Sequence, residues 1–340
     1  MDDIKIADIS GIGTSTEAKL KSAGFTNIEA IAVTPLRELI EKTGIGEKTA
    51  EKISTAAREL LGLDFVTAME LYERRKQSLK LTTGSKNLDE LLAGGIETQT
   101  MVELAGEFGS GKSQLCMQLC VTEQLSLEKG GLGGKVLFLD TEGTFYPRRI
   151  YNIAKSFGLD PNEVLKNIIY ARCYNSDHQM LLVNRAFRLT REENIKLIIV
   201  DSLISHFRGE YVGRENLSYR QQKLNDHIHK LIRLAEAYNC AVVVTNQIQS
   251  NPAAFFGDPN KPAGGNVVAH ASTHRIYLRK SKANTRVAKI IDSPCLPEES
   301  TTFVITSNGI EDPEGDRTEY IESTTADDSD DQPSETNVEE

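Results

Sequence analysis

Gly106-Glu-Phe-Gly-Ser-Gly-Lys-Ser113 has the spacing G-x-x-x-x-G-K-[ST] of a phosphate-binding loop. The apolar run before it, residues 101–105, reads as a strand, and residues 114–124 read as a helix. A chance glycine turn would lack those flanks. In this context the glycines let successive backbone N–H groups converge on phosphate oxygens, and the helix N-terminus adds favourable partial charge. The expected nucleotide contacts are therefore Gly106, Glu107, Phe108, Gly109, Ser110, Gly111, Lys112, Ser113 and Gln114. Lys112 is placed to reach the β- and γ-phosphates, and the Ser113 hydroxyl to ligate Mg²⁺. The ligand this predicts is a nucleoside triphosphate with Mg²⁺.

Outward from this loop, strand-like and helix-like stretches alternate from residue 81 on. Strands are expected at 101–104, 135–140, 167–171, 197–201, 241–246, 274–279, 288–292 and 302–306. Leu197-Ile-Ile-Val200 and Ala241-Val-Val-Val244 are unbroken apolar runs, as strands covered on both faces require. The alternation predicts an α/β core with a mainly parallel central sheet and ligands at the strands' C-terminal ends. Asp201 closes one apolar strand in the manner of a Mg²⁺-steadying acid. Strand 135–140 runs into Thr141-Glu142-Gly143, where an acid can polarise an attacking water; Glu142 is the candidate and Asp140 the alternative. Gln247 ends Val244-Thr-Asn-Gln247 and can sense the γ-phosphate. Residues 248–272 then form a long Gly-, Pro- and Asn-rich stretch, read as a functional loop. In a second loop, 206–214 leading on to residue 220, Arg208, Arg214 and Arg220 beside Tyr211 suit phosphate contact and base packing.

The first sixty residues repeat themselves at an offset of 33. Ser10-Gly-Ile-Gly13 and Thr43-Gly-Ile-Gly46 each precede an amphipathic run, the form of a helix–hairpin–helix element. Such turns offer backbone N–H groups to DNA phosphates; a purely structural bundle is the other reading. Residues 63–82 form a linker in which 67–77 is expected to be helical and Phe65 needs somewhere to bury itself.

The net charge of −10 is misleading as a whole. Residues 311–340 hold thirteen Asp and Glu against Arg317, a net of −12, which leaves +2 on residues 1–310. The body is thus not an acidic protein, and the tail from about residue 313 is expected to be disordered. The five cysteines are scattered without a metal-ligand cluster and read as buried free thiols. With no apolar stretch of membrane-spanning length and no charged-then-apolar leader, the expectation is a cytosolic protein without membrane contact, nuclear in a eukaryote.

Taken in order, these motifs resemble those of the archaeal RadA recombinases, members of the RecA-like strand-exchange proteins. The resemblance spans about residues 5–312. It is carried by Leu81-Thr-Thr-Gly-Ser-Lys-Asn-Leu-Asp89, Gly94-Gly-Ile-Glu-Thr-Gln99, the phosphate loop, Asp140-Thr-Glu-Gly-Thr-Phe145 and His206-Phe-Arg-Gly-Glu-Tyr-Val-Gly-Arg214. Further on it is carried by Val244-Thr-Asn-Gln247, Gly264-Gly-Asn-Val-Val-Ala-His-Ala-Ser272 and Asp292-Ser-Pro-Cys-Leu-Pro297. It implies a RecA-like P-loop ATPase core at 83–312 with a small all-α helix-hairpin-helix domain at 1–62, a linker at 63–82 and an acidic tail at 313–340. The implied activity is DNA-dependent ATP hydrolysis by a filament on single-stranded DNA that pairs it with homologous duplex. Its implied partners are both forms of DNA, further copies of itself in a filament or ring, and recombination mediators. The alternatives are a non-catalytic mediator of the same family and a RecA-like hexameric motor.

By the same resemblance Glu142 is the catalytic glutamate, Gln247 the nucleotide sensor, and Arg149 the arginine packing on adenine. His270 and the segment ending at Pro297 meet the nucleotide of a neighbouring subunit, and loops 206–220 and 248–271 bind DNA. Phe65-Val-Thr-Ala68 matches a polymerisation motif through Phe65 and Ala68. One departure stands out: where the family has Arg-Pro-Glu-Arg, this chain has Tyr146-Pro-Arg-Arg149, which changes the surroundings of the adenine contact.

Overall fold

The computed structural model describes residues 6–9, 12–63, 65–76, 78–250 and 260–314. Ser10 and Gly11 of the first repeat, the centre of the 248–272 stretch and most of the acidic tail lie outside the described residues.

The N-terminal domain is built from α1 (Thr14–Ser22), α2 (Ile28–Val33), α3 (Leu36–Thr43) and α4 (Glu47–Leu60). Each starts or stops where local chemistry dictates. Asn27 caps α2 by accepting from Ala30 N–H at 3.1 Å, a contact worth about 1 kcal/mol. Gly44 ends α3 in the left-handed region at φ 64°, which a residue with a Cβ adopts only at a cost. In the second repeat Ile45 is buried while Gly44 and Gly46 face solvent, so the hairpin turn leaves its backbone accessible. The first repeat is less amphipathic than expected: α1 buries only Leu20. In contrast, α4 buries Ala50, Ile53, Ser54 and Ala57, one stripe at helical spacing.

This domain docks on the core. Glu38 pairs with Arg233 at 3.1 Å, Asn27 Nδ2 donates to the Tyr238 hydroxyl at 2.9 Å, and Phe187 packs against the N-terminal apolar cluster. The linker helix α5 (Ala68–Lys76) buries nothing.

The core continues with β1 (Lys80–Leu81), α6 (Lys86–Leu91), β2 (Ile96–Glu97), β3 (Met101–Gly106), α7 (Lys112–Thr122), β4 (Lys135–Asp140), α8 (Pro147–Ser156) and α9 (Pro161–Lys166). Next come β5 (Ile168–Arg172), α10 (Ser176–Glu192), β6 (Ile195–Asp201), α11 (Ser205–Glu210), α12 (Leu217–Tyr238) and β7 (Ala241–Ser250). The last elements are β8 (Asn260–Pro262), α13 (Asn266–Ala271), β9 (His274–Lys280), β10 (Thr285–Asp292), β11 (Ser300–Ile305) and β12 (Ile310–Glu311).

The sheet order is β12-β11-β10-β9-β3-β7-β6-β4-β5, with β8 paired to β7. From β9 to β5 all pairings are parallel, as the apolar runs require; β10 to β12 add an antiparallel edge. Phe138 and Phe207 lie in separate apolar clusters on the two faces, each fully buried and worth about 2 kcal/mol of transfer free energy. The one buried charge in β3, Glu103, is satisfied by Arg275 at 2.6 Å and Asn246 at 2.7 Å. Gln118 of α7 stitches the far edge to the core entry, donating to Thr83 and Ile310 carbonyls and accepting from Ile310 N–H.

Several expectations need correction. Lys80–Leu81 pairs with Ile96–Glu97, so strand pairing begins before residue 83. The strand expected from Asn167 starts at Ile168, because the Asn167 N–H still bonds carbonyls of α9. The loop expected at 206–214 is helical over its first half, as α11. The stretch 248–272 is strand at both described flanks, β7 pairing with β8, and ends in helix α13. Finally, Cys295 is exposed, whereas Cys116, Cys120, Cys173 and Cys240 are buried free thiols as read.

Candidate nucleotide site and nucleic-acid interface

β3 delivers the glycine-rich loop to the top of the sheet, and α7 leaves from it. A Cβ on Gly106 would stand 2.2 Å from the Leu278 carbonyl oxygen of β9, so only glycine fits. Gly111, at φ 106°, forms the N-cap of α7, where its conformation excludes other residues. The Lys112 ammonium donates to the Gly106 and Glu107 carbonyls at 2.7 and 2.8 Å, folded onto its own loop. Burial lowers its pKa against the opposing pull of the Asp201 and Glu142 charges. The loop opens on a cleft of about 690 Å³ lined by Phe108, Gly109, Gly111, Lys112, Ser113 and Gln114 from this motif. Gly106, Glu107 and Ser110 frame the loop without lining the cleft.

Across the cleft stand the ends of β4, β6 and β7. Asp201 accepts from Thr144 Oγ1 at 3.0 Å and from Thr245 Oγ1, so both carboxylate oxygens are oriented. Glu142 lies at the open side, where its Oε1 accepts from Ser202 Oγ at 2.8 Å and from Gln247 Nε2 at 2.9 Å. Asp140, the alternative acid, is buried and committed elsewhere. It accepts from the N–H groups of Glu142 and Gly143 at 3.0 and 2.6 Å, from the Tyr170 hydroxyl, and from Arg172. It shapes the turn that presents Glu142, and its carboxylate does not line the cleft.

Ser113 and Asp201 both line the cleft. Among the described residues no cluster of three or more His, Cys, Asp or Glu could hold a metal alone. One hydroxyl and one carboxylate suit Mg²⁺, which keeps several waters and takes phosphate oxygens as further ligands.

Arg149 forms the other end of the cleft. Its Nε donates to Gln114 Oε1 at 2.8 Å and its Nη1 to the Ser307 carbonyl at 2.6 Å. The departures Tyr146 and Arg148 are exposed and do not line the cleft. The walls also include Thr144, Ser202, Thr245, Arg286, Ile305 and Thr306, which sequence reasoning left out. Thr144, Ser202 and Thr245 adjoin motif residues and could have been found there. Arg286 and Thr306 arrive from the antiparallel edge and carry no local signal.

His270 and Pro297 are not in this cleft. His270 is exposed on α13 and lines a smaller recess with Asp292, Ser293 and Pro294. Thr273, which also lines that recess, donates its N–H to Met101 at the start of β3, so the recess lies at the sheet end opposite the phosphate loop. Phe65 and Ala68 are exposed beside Met69 and Tyr72.

The basic residues of the second loop divide. Arg208 is half-buried on α11, Arg214 is exposed in the connection to α12, and Arg220 is half-buried on α12 rather than in a loop. Tyr211 is held in place: Lys223 donates to its hydroxyl at 2.9 Å and lies over the rings of Tyr211 and Tyr219. Those hydrogen bonds, with Tyr211 first and Asp177 next, raise the Lys223 pKa. Lys223 and Tyr219 were missed because their partner lies across a turn.

The model of the Rad51 family matches residues 74–313, and that of the SAM-like helix-hairpin-helix tandem matches residues 4–59. The chain is 53% identical over 309 residues to the DNA repair and recombination protein RadA of Aeropyrum pernix, covering 91% of this chain and 97% of that protein. It is 53% identical over 314 residues to the protein of the same description from Ignicoccus hospitalis, covering 91% and 96%.

Proposed function

This chain belongs to the Rad51 family, and on that premise we propose that it is a DNA-dependent ATPase that assembles on single-stranded DNA and carries out homologous pairing and strand exchange. The observation that carries the mechanism is the convergence of Ser202 and Gln247 on one oxygen of Glu142, at the mouth of a phosphate loop. Gln247 lies on the same strand that runs into the 248–271 DNA loop, so one side chain touches both events.

ATP binds with its phosphates along the glycine loop, and Lys112 exchanges its loop carbonyls for the β- and γ-phosphates. Ser113 and Asp201 would hold Mg²⁺, which neutralises charge between phosphate oxygens when bound. Arg149 faces the base. Glu142 takes a proton from the attacking water, and Ser202 and Gln247 fix the carboxylate in position for it. Loss of the γ-phosphate changes what Gln247 can bond and so shifts the DNA loop. Strand pairing itself is checked by base pairing, so Arg208, Tyr211, Arg214 and Arg220 need only backbone and stacking contacts. His270 and Pro297 reach a nucleotide only on a neighbouring copy, and Phe65 with Ala68 docks that copy. The full hydrolytic set argues against a non-catalytic mediator. Placement at DNA in the cytoplasm, and loading by mediators, follow as part of this reading.

ATP turnover measured with and without single-stranded DNA tests it. DNA should raise turnover several-fold; equal rates would contradict the proposal.

A further inference from the structure

The nucleotide site and helix α11 are joined by a buried polar pair that the apolar layer around it does not need. Gln179 of α10 and His227 of α12 are both fully buried. Gln179 Nε2 donates to the Leu203 carbonyl at 3.0 Å and lies 3.1 Å from His227 Nε2. The His227 ring centre is 5.6 Å from that of Phe207 on α11. Leu203 follows Ser202, which bonds Glu142, and its own N–H donates to the Thr245 carbonyl at 2.9 Å. One backbone segment thus touches the hydrolytic acid on one side and Gln179 on the other.

Helix α11 is also fastened to the start of α10. Glu210 accepts from the Ser176 N–H at 2.7 Å and from its hydroxyl, and the His206 ring bonds the Cys173 carbonyl at 2.9 Å. Gln179 is three residues beyond Ser176, so it belongs to the same rigid unit as α11. Around the pair, Val183, Leu224, Ile228 and Leu231 of these helices are apolar core, although Ser176, Thr190 and Lys230 are also buried elsewhere along them. Burial pushes the His227 imidazole down to about 3, with Lys230 lowering and Asp226 raising it, so the ring is neutral near pH 7. A neutral polar pair in such a layer is costlier than apolar side chains of similar volume. Its presence is therefore not explained by stability.

We propose that Gln179 and His227 are positioning residues that pass movement of residues 201–203, caused by nucleotide exchange, to α11 and so to Arg208 and Tyr211. This rests on the reading above of those two residues as DNA contacts. A pair with fixed hydrogen-bond geometry moves as a body, whereas an apolar replacement packs equally well in either position and uncouples the two sites.

The test uses the full chain with His227→Leu and, separately, Gln179→Met. Both variants should melt at or above the parent's temperature and keep its DNA-free ATP turnover. The several-fold stimulation of turnover by single-stranded DNA should fall to near one, and the preference of DNA binding for the ATP state over the ADP state should shrink as well. A variant that folds and keeps the parent's stimulation ratio overturns the proposal. If His227→Leu does not fold, Gln179→Met decides; if neither folds, the pair is a structural element and the proposal fails. A parent chain that DNA does not stimulate would instead remove the functional reading on which this depends.

Discussion

The phosphate-loop end of the sheet and the linker helix are opposites in how they satisfy their chemistry. Around the cleft, Lys112, Asp201, Glu142 and Arg149 are each oriented by hydrogen bonds from the same chain. Along α5 no residue is buried, and Phe65, Met69, Leu71 and Tyr72 face solvent. The first region orients its phosphate-facing and acidic groups within one molecule; the second leaves apolar surface exposed, which contact with another copy would bury. A head-to-tail contact of that kind repeats without closing on itself unless the rotation makes a ring.

The comparison implies that damage at the cleft is felt by an isolated chain. The largest effect is expected for Lys112→Ala, which removes the main cation facing the phosphates and should weaken nucleotide binding about a hundredfold or more. Calorimetric titration with an ATP analogue would reveal it, and unchanged affinity would take the phosphates away from this loop. Glu142→Gln should leave binding intact while turnover falls about a hundredfold. Single-turnover kinetics distinguish the two, and normal turnover would pass the role to another group.

The proposed DNA contacts on and after α11 are tested separately. Replacing Arg208, Arg214 and Arg220 together with Ala should weaken single-stranded DNA binding and flatten the plot of log affinity against log salt by about two units. An unchanged slope would mean that these arginines do not touch phosphate.

The smallest effect is expected away from the cleft, at the far end of α7. Glu123, just past α7, accepts from the Gly134 N–H at 2.9 Å, and burial raises its pKa from 4.5 to about 7. A folded value above the unfolded one means stability that is complete below about pH 4.5 and lost as pH rises through 7. Glu123→Gln removes that penalty and should gain about 3 kcal/mol at pH 8 with little gain at pH 4.5. Urea midpoints at the two pH values measure it, and equal gains would remove the buried charge as the cause.

What could be read in the sequence was local. The phosphate loop, Asp201 and the run Leu197-Ile-Ile-Val200 carry their meaning within a few residues, so the parallel sheet followed directly and the strand-end acids could be named as candidates. What holds the alternative, Asp140, away from the cleft could not be read locally, since Tyr170 and Arg172 from β5 engage it. Helix α11 was read as loop because Gly209 and its charged neighbours give no helical period. Its ends are fixed by Cys173 and Ser176, about thirty residues earlier. The docking of α3 through Glu38 onto Arg233 is likewise invisible along the chain, because the partners are 195 residues apart.

In the proposed function Phe65 and Ala68 carry assembly, while the cleft of a single chain binds nucleotide before His270 and Pro297 of a neighbour meet it. Burial of one Phe is worth roughly 1.5–3 kcal/mol, and the contact would recur at every subunit. Electron microscopy of the parent and of Phe65→Glu, each with ATP and single-stranded DNA, tests this most directly. The account predicts helical filaments for the parent and dispersed monomers that still bind ATP for the variant. Filaments of Phe65→Glu indistinguishable from those of the parent would contradict it.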